Sequence, residues 1–184
     1  MLNKLIEKYS KVMARENNFT NDEQEQIQFI MKTFICEVIK TILIISLFSA
    51  LGYFKQIVII LIVMLVTKPF IGGYHEDNQM KCFVSTIFII SGILFISLNS
   101  KLTLASIFIL NLVCVICVWF RAPVLNPRMP ITRERLIRKN KIIGTVTTIF
   151  CAITSIILFK YSDLAQCIVW TINFQTLLMF NKLK

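Results

Sequence analysis

Charge is scarce in this 184-residue chain: 16% of its residues are charged, against about 25% in an ordinary soluble domain. Acidic residues are scarcer still, with 10 Asp+Glu facing 20 Lys+Arg for a formal net charge of +10. There is a single histidine, which excludes a histidine-rich metal site. No HExxH, GxSxG or Walker sequence occurs, so the metalloprotease, serine-hydrolase and P-loop signatures are absent. What fills the space is apolar: 56% of the chain is hydrophobic and its mean hydropathy is +0.72. That excess rules out a disordered chain and argues against a soluble globule. A basic chain of this kind carries its charge either on a nucleic-acid surface or in the cytoplasmic segments of a membrane protein.

The distribution of the apolar residues decides for the membrane. Six runs stand out, at 41–51, 57–67, 82–98, 102–120, 142–159 and 164–180. A bilayer crossing takes about 20 residues, in a range of roughly 17–25. Four runs reach or nearly reach that length. The first does so only with its polar approach, and the second must tilt or borrow flanking residues. With the N-terminus inside and six helices alternating, the inside segments 1–40, 68–81, 121–141 and 181–184 hold 6, 2, 7 and 2 basic residues. The outside turns hold three, Lys55, Lys101 and Lys160. This strong positive-inside bias predicts both termini in the cytoplasm. The fold class expected is therefore an all-α integral membrane protein of about six transmembrane helices, one membrane domain over 1–184 with no separate soluble domain. The +10 charge then sets orientation, and no nucleic-acid partner is expected.

Before the first run, residues 1–18 show no signal-peptide pattern. Leu2, Leu5, Ile6, Tyr9, Val12 and Met13 recur at helical spacing with Lys4, Lys8, Lys11 and Arg15 between them. The pattern predicts an amphipathic helix, lying on the membrane interface or packed on the bundle. Thr20 and Glu23 have capping-box spacing and predict the start of the next helix. The six cysteines, Cys36, Cys82, Cys114, Cys117, Cys151 and Cys167, avoid the outside turns, so no external disulfide framework is expected. Cys114 and Cys117 have CxxC spacing inside an apolar run. Without a histidine or second CxxC nearby they read as small packing residues, redox or metal work being the alternative.

One segment, 68–81, carries chemistry. It holds His75, and Cys82 follows seven residues later. On one straight helix the pair would stand about 10.5 Å apart along the axis, too far for proton transfer at roughly 3 Å. The segment must therefore fold back. Pro69 disfavours continuation of the second helix, Gly72 and Gly73 permit a tight turn, and Asp77 or Asn78 suits the N-cap of the third. Cys82 then falls in the first two turns of that helix. A helix N-terminus and nearby cations such as Lys81 and Lys68 favour the thiolate, the nucleophilic form. His75 is placed to take the thiol proton and return it to a leaving group. Glu76, Asp77, Asn78 and Gln79 are all candidates to orient the imidazole or bind an oxyanion. The alternative is that the glycine turn only links two helices and Cys82 only packs.

Gly72-Gly73-Tyr74-His75 with Cys82 seven residues on resembles the active segment of the accessory gene regulator protein B family. These are small bacterial membrane cysteine endopeptidases that process quorum-sensing propeptides. Chain length, amphipathic start, several membrane helices and a basic loop near Pro123-Val124 fit the same plan. The resemblance implies that His75 and Cys82 are catalytic and that Gly73 matches the family's glycine before the histidine. Lys68 stands where the family often has arginine, keeping the charge without the planar bidentate fork. It further implies an AgrD-like propeptide substrate with an amphipathic leader, a central signal segment and an acidic tail. Cys82 would attack at the junction of signal and tail, the tail would leave, and an internal substrate cysteine or serine would capture the thioester as a cyclic thiolactone or lactone. No cofactor or metal is implied, and a homodimer is.

The segment 121–141 is the most basic, with Arg121, Arg128, Arg133, Arg135, Arg138, Lys139 and Lys141 against Glu134. These charges set topology and meet anionic lipid at the cytoplasmic face, each worth about 1 kcal/mol near the surface. Holding the substrate's acidic tail is a second role compatible with the first. Asn111, Thr145, Thr147, Thr148, Thr154, Asn173 and Gln175 lie within the membrane runs and are expected to face other helices. A peptide or lipid transporter without covalent chemistry, and a noncatalytic scaffold, are the competing readings.

Overall fold

The computed structural model describes residues 20–72, 79–124 and 133–180, and within them there are six α-helices and no strand. In chain order they are α1 (Asn21–Ala50), α2 (Phe54–Ile71), α3 (Gln79–Asn99), α4 (Leu104–Arg121), α5 (Glu134–Leu158) and α6 (Leu164–Leu178). Five are long and apolar enough to cross a membrane, and α6, at 15 residues, is a shorter apolar helix. The all-helical membrane architecture read from the apolar runs is the one the chain adopts. The amphipathic segment 1–18 lies outside the described residues.

Helix bounds depart from the apolar runs in three places, each for a physical reason. The run at 57–67 extends at both ends into an 18-residue helix that passes through Lys68 and Pro69 to Ile71. Pro69 sits in the last turn, where it removes one backbone bond and leaves the helix intact. Lys55 and Lys68 lie near the two ends, where long stems let the charges reach the interface. α5 begins eight residues before its apolar run, so the last eight residues, 134–141, of the basic loop expected at 121–141 are helix. Arg, Lys and Glu are good helix formers, and apolarity marks only the part of a helix that lipid or protein covers. For the same reason α1 starts 20 residues ahead of its apolar run, in a stretch rich in Glu and Gln.

Residues up to Ser46 form one compact unit and those from Leu47 another. The first is the greater part of α1. Its start is the capping box expected there: the Thr20 N–H donates to Glu23 Oε2 (2.9 Å) and the Glu23 N–H donates to Thr20 Oγ1 (3.3 Å). Farther along the helix, Lys40 pairs with Glu37 at 2.7 Å, and the Thr41 hydroxyl donates to the Glu37 carbonyl (2.8 Å).

In the second unit α1 ends in a Schellman turn. Gly52 takes φ +86° while the Tyr53 and Gly52 N–H groups donate to the carbonyls of Phe48 and Ser49, each at 2.9 Å. Beyond it, α6 packs against α2, α3, α4 and α5, and α5 also packs against α2 and α4. The core is layered along the helix axes. Val63, Cys114, Cys151, Ile168 and Ile172 form one apolar cluster, and Ile71, Val118, Ala122 and Met179 form another. Between them lie buried Thr67, Thr148, Gln175 and Thr176. The three threonine hydroxyls donate to their own helices, to the carbonyls of Val63 (2.6 Å), Gly144 (2.7 Å) and Ile172 (2.8 Å).

The polar residues of the membrane runs are disposed as their cost in lipid demands. Asn111 Nδ2 donates across to Ser155 Oγ (2.9 Å), and the Thr67 hydroxyl meets the Gln175 side-chain oxygen. Thr145 is buried and satisfied by Lys141 O. Thr147, Thr154 and Asn173 are only half-buried and bond the carbonyls of Gly144, Phe150 and Val169. Large apolar side chains such as Leu65, Phe88, Phe95 and Phe150 point outward, as a lipid-facing surface requires. Cys114 is buried within the first apolar cluster and Cys117 is half-buried, which is the packing arrangement.

Candidate active site

The two ends of the bundle follow from the antiparallel packing. Ile71 at the end of α2 meets Val118 and Ala122 at the end of α4 and Met179 just past α6. The opposite end of α6 meets the end of α3, where Trp170 Nε1 donates to Ser100 Oγ (2.8 Å). The start of α3, with Cys82, therefore lies at the same end of the bundle as Ile71. So does the start of α5, because Gly144 packs on Phe70.

At that end α2 stops abruptly. Its last residue, Ile71, is 1% exposed. Gly72 follows with φ +76° and ψ −152°, and its N–H donates to the Lys68 carbonyl (3.0 Å). That backbone conformation belongs to glycine. Space enforces the same choice, since a Cβ on Gly72 would stand 2.1 Å from the Val124 carbonyl oxygen. Gly72 and Val124 form an isolated parallel bridge, with the Val124 N–H donating to the Ile71 carbonyl (2.9 Å). The segment that leaves α2 is thus tied by backbone to the segment that leaves α4. Sequence reading recognised the glycine turn; the partner across it has no local signal in the sequence.

α3 begins at Gln79, and Cys82 is its fourth residue. The thiol is free and half-buried. Its position in the first turn places it where helix N–H groups without intrahelical partners face forward. The Cys82 carbonyl is engaged by the Thr86 hydroxyl (2.8 Å). Met80, Lys81, Val84 and Ser85 line an open groove on the same two turns. Lys81 is exposed and Lys68 half-buried, both at this end. Gly73 and His75 lie outside the described residues, as do Glu76, Asp77 and Asn78. The chain passes from Gly72 to Gln79 between two fixed helix ends.

The basic residues fall into two groups. Arg121 ends α4 with its guanidinium 5.2 Å from the centre of the Phe180 ring, and Lys141 holds its ammonium 4.9 Å from the centre of the Trp119 ring. These two are docked on aromatics of the bundle. Arg133, Arg135, Arg138 and Lys139 are exposed on the N-terminal turns of α5 and its approach. Residues 135, 138 and 139 share one helical face by spacing. Residues 134–141 of the segment expected as a loop over 121–141 are thus helix, and they carry Arg135, Arg138, Lys139 and Lys141. Arg128 lies outside the described residues. No cluster of three or more His, Cys, Asp and Glu side chains that could hold a metal occurs among the described residues.

Comparison with known proteins matches residues 6–179 to the family model described as accessory gene regulator B. An AgrB-like protein of Clostridium perfringens (strain 13, type A) is 40% identical over 183 residues, covering 100% of this chain and 98% of its own. Protein FsrB of Enterococcus faecalis is 20% identical over 173 residues, covering 91% of this chain and 69% of its own. No solved structure matches the chain.

Proposed function

The chain belongs to the accessory gene regulator B family, multi-pass membrane proteins of quorum-sensing propeptide processing, and we propose that it is the cysteine endopeptidase and cyclase of that process. The observation that carries the reading is the placement of Cys82 in the first turn of α3, at the bundle end where α2 releases the His75 segment. Cys82 is the nucleophile. His75 takes its proton and delivers it to the departing amine when the C–N bond at the junction of signal and acidic tail breaks. The acyl group is then held on Cys82 as a thioester.

The second step exchanges one acyl–sulfur bond for another. A cysteine within the substrate's signal segment attacks the thioester carbonyl, Cys82 leaves, and a cyclic thiolactone forms; a substrate serine gives the lactone. Thioester exchange is near thermoneutral, so water is the competitor rather than energy. Holding the attacking thiol close gives a high effective molarity, and a site at the membrane edge restricts water. The exposed ridge of Arg133, Arg135 and Arg138 supplies the charge that an acidic tail needs, with Lys68 and Gln79 at the same end as orienting groups. A cytoplasmic orientation for both termini and this ridge is part of the proposal, supported by the 17 basic residues in the inside segments against three in the outside turns. The same ridge meets anionic lipid.

Co-expression with a propeptide carrying an internal cysteine and an acidic C-terminal tail tests the reading. Mass analysis of the wild-type membrane fraction should show a released tail and a thioester on Cys82. Cys82→Ala and His75→Ala should each abolish cleavage while remaining inserted. Cleavage by either variant would refute the proposal.

A further inference from the structure

The last turn of α2 is gripped from two sides by backbone, and only one side was visible in the glycine turn. On the first side Gly72 abuts the Val124 carbonyl. On the second, Gly144 of α5 faces Phe70. A Cβ on Gly144 would lie 3.3 Å from the Phe70 carbonyl carbon and 3.4 Å from its Cβ and carbonyl oxygen. These are contacts with main chain and with the root of a side chain, so no rotamer change relieves them. Gly144 is buried, and its carbonyl is held by the Thr148 hydroxyl at 2.7 Å and the Thr147 hydroxyl at 3.0 Å. A larger residue must therefore push α2 or α5, and the point that moves is two residues before Gly72.

We infer that Gly144 is a positioning residue, which fixes the exit of α2 relative to Cys82 and to the basic ridge of α5. The inference rests on the proposed cysteine peptidase reading. Geometry supports it. Glu134 and Gly144 are ten helical steps apart, or about 15 Å, so the ridge of Arg135, Arg138 and Lys139 extends past the level of Phe70 on the helix that touches Phe70. The contact therefore sets the register between the place where a tail would bind and the place where the catalytic segment leaves the bundle. The contact also has little slack, since buried Gly144 meets the Phe70 carbonyl group and Cβ, which no rotamer moves. Catalysis tolerates little error in that register, because a displacement of about 1 Å costs on the order of 10²-fold.

The test uses the full chain in proteoliposomes with a synthetic propeptide bearing an internal cysteine and an acidic tail. Gly144→Val should lower kcat by on the order of 10²-fold with KM little changed, and Gly144→Ala should show a smaller fall of the same kind. Alkylation of Cys82 by iodoacetamide, followed by mass spectrometry, should change from the wild-type rate toward the rate in His75→Ala. Thr148→Ser, one turn along the same helix, should keep the wild-type kcat. If Gly144→Val does not insert, Gly144→Ala alone decides on the same criteria. Wild-type kcat in the Gly144 variants, a loss confined to KM, an unchanged alkylation rate, or an equal loss in Thr148→Ser would each overturn the inference. Those outcomes concern Gly144 only, whereas cleavage by Cys82→Ala would remove the peptidase reading itself.

Discussion

The two ends of the helical bundle from α2 to α6 are held together by different means. At the end away from Cys82, side chains do the stitching. Trp170 donates to Ser100, and the Gln166 amide nitrogen, in the orientation that satisfies its neighbours, donates to the Ser97 carbonyl (2.8 Å) and Ser100 Oγ (3.1 Å). Thr103 caps α4 by accepting from the Ser106 N–H (3.2 Å). The turns there are short and nearly neutral. At the Cys82 end the joints are made by backbone, through Gly72 against Val124 and Gly144 against Phe70. Arg121 and Lys141 dock on aromatic rings there, while Arg133, Arg135, Arg138 and Lys139 are exposed. Fastening by main chain leaves side chains free, which is what the proposed substrate site at the Cys82 end would need.

The sharpest way to break this contrast is Gly72→Ala. The variant must place a Cβ 2.1 Å from the Val124 oxygen and hold a φ of +76° that costs an alanine strain. The Gly72–Val124 bridge should open and the exit of α2 should shift. Propeptide cleavage should fall on the order of 10²-fold or more, since a misplacement of about 1 Å has that effect. Membrane abundance of the variant, measured in parallel, separates misplacement from loss of protein. Near wild-type cleavage would show that the bridge does not position the site.

Much of this molecule could be read from its sequence, and the exceptions are instructive. The helices were legible because a bilayer demands long apolar runs, and the Thr20–Glu23 start because a capping box is local. Cys82 near the start of α3 followed from the glycine pair and the Asp77-Asn78 signal, whereas Pro69, read as disfavouring continuation, lies inside the last turn of α2. What escaped were features that hydropathy does not encode. Arg133 to Lys141 read as loop although its residues favour helix, because the helix there leaves the membrane. Gly144 carries no local signal; its contact is with Phe70, 74 positions away in a chain that must fold before they meet. Likewise Val124 as the partner of Gly72 is a tertiary fact.

A second test addresses the free charges of the Cys82 end. Arg133→Glu, Arg135→Glu and Arg138→Glu together should raise the KM for a tail-bearing propeptide about tenfold, as several exposed pairs of roughly 0.2–1 kcal/mol each would predict. kcat should change little. The wild-type KM should rise with salt, and the variant's should not, because exposed pairs are screened over about 10 Å at 0.1 M. A propeptide lacking its acidic tail should not distinguish the two proteins. Unchanged KM in the inserted variant would assign the ridge to lipid and topology alone.

The opposite end should respond in stability and not in catalysis. Trp170→Phe keeps the ring and deletes the N–H that meets Ser100 Oγ. Hydrogen bonds between membrane helices average about 0.6 kcal/mol and reach about 1.7, so the detergent-solubilised protein should melt slightly lower. kcat for propeptide cleavage should stay at its wild-type value. A fall in kcat would mean that the two ends are coupled through α6, and the division between fastening by side chain and by backbone would be too simple.

The smallest effect expected tests the exception at the Cys82 end, where side chains do act as fasteners. Arg121 lies 5.2 Å from the Phe180 ring centre, and such contacts at exposed sites are worth about 0.5–1 kcal/mol. Phe180→Leu keeps the apolar bulk and removes the ring's negative face. Its destabilisation should stay within that range in a wild-type background and vanish in an Arg121→Ala background, because the coupling is pairwise. The double-mutant cycle also tells whether Arg121 is engaged or free. If Phe180→Leu costs the same with and without Arg121, the arginine is not docked on the ring. It then joins Arg133, Arg135 and Arg138 among the charges available to substrate, and the salt dependence of KM should weaken further when it too is removed.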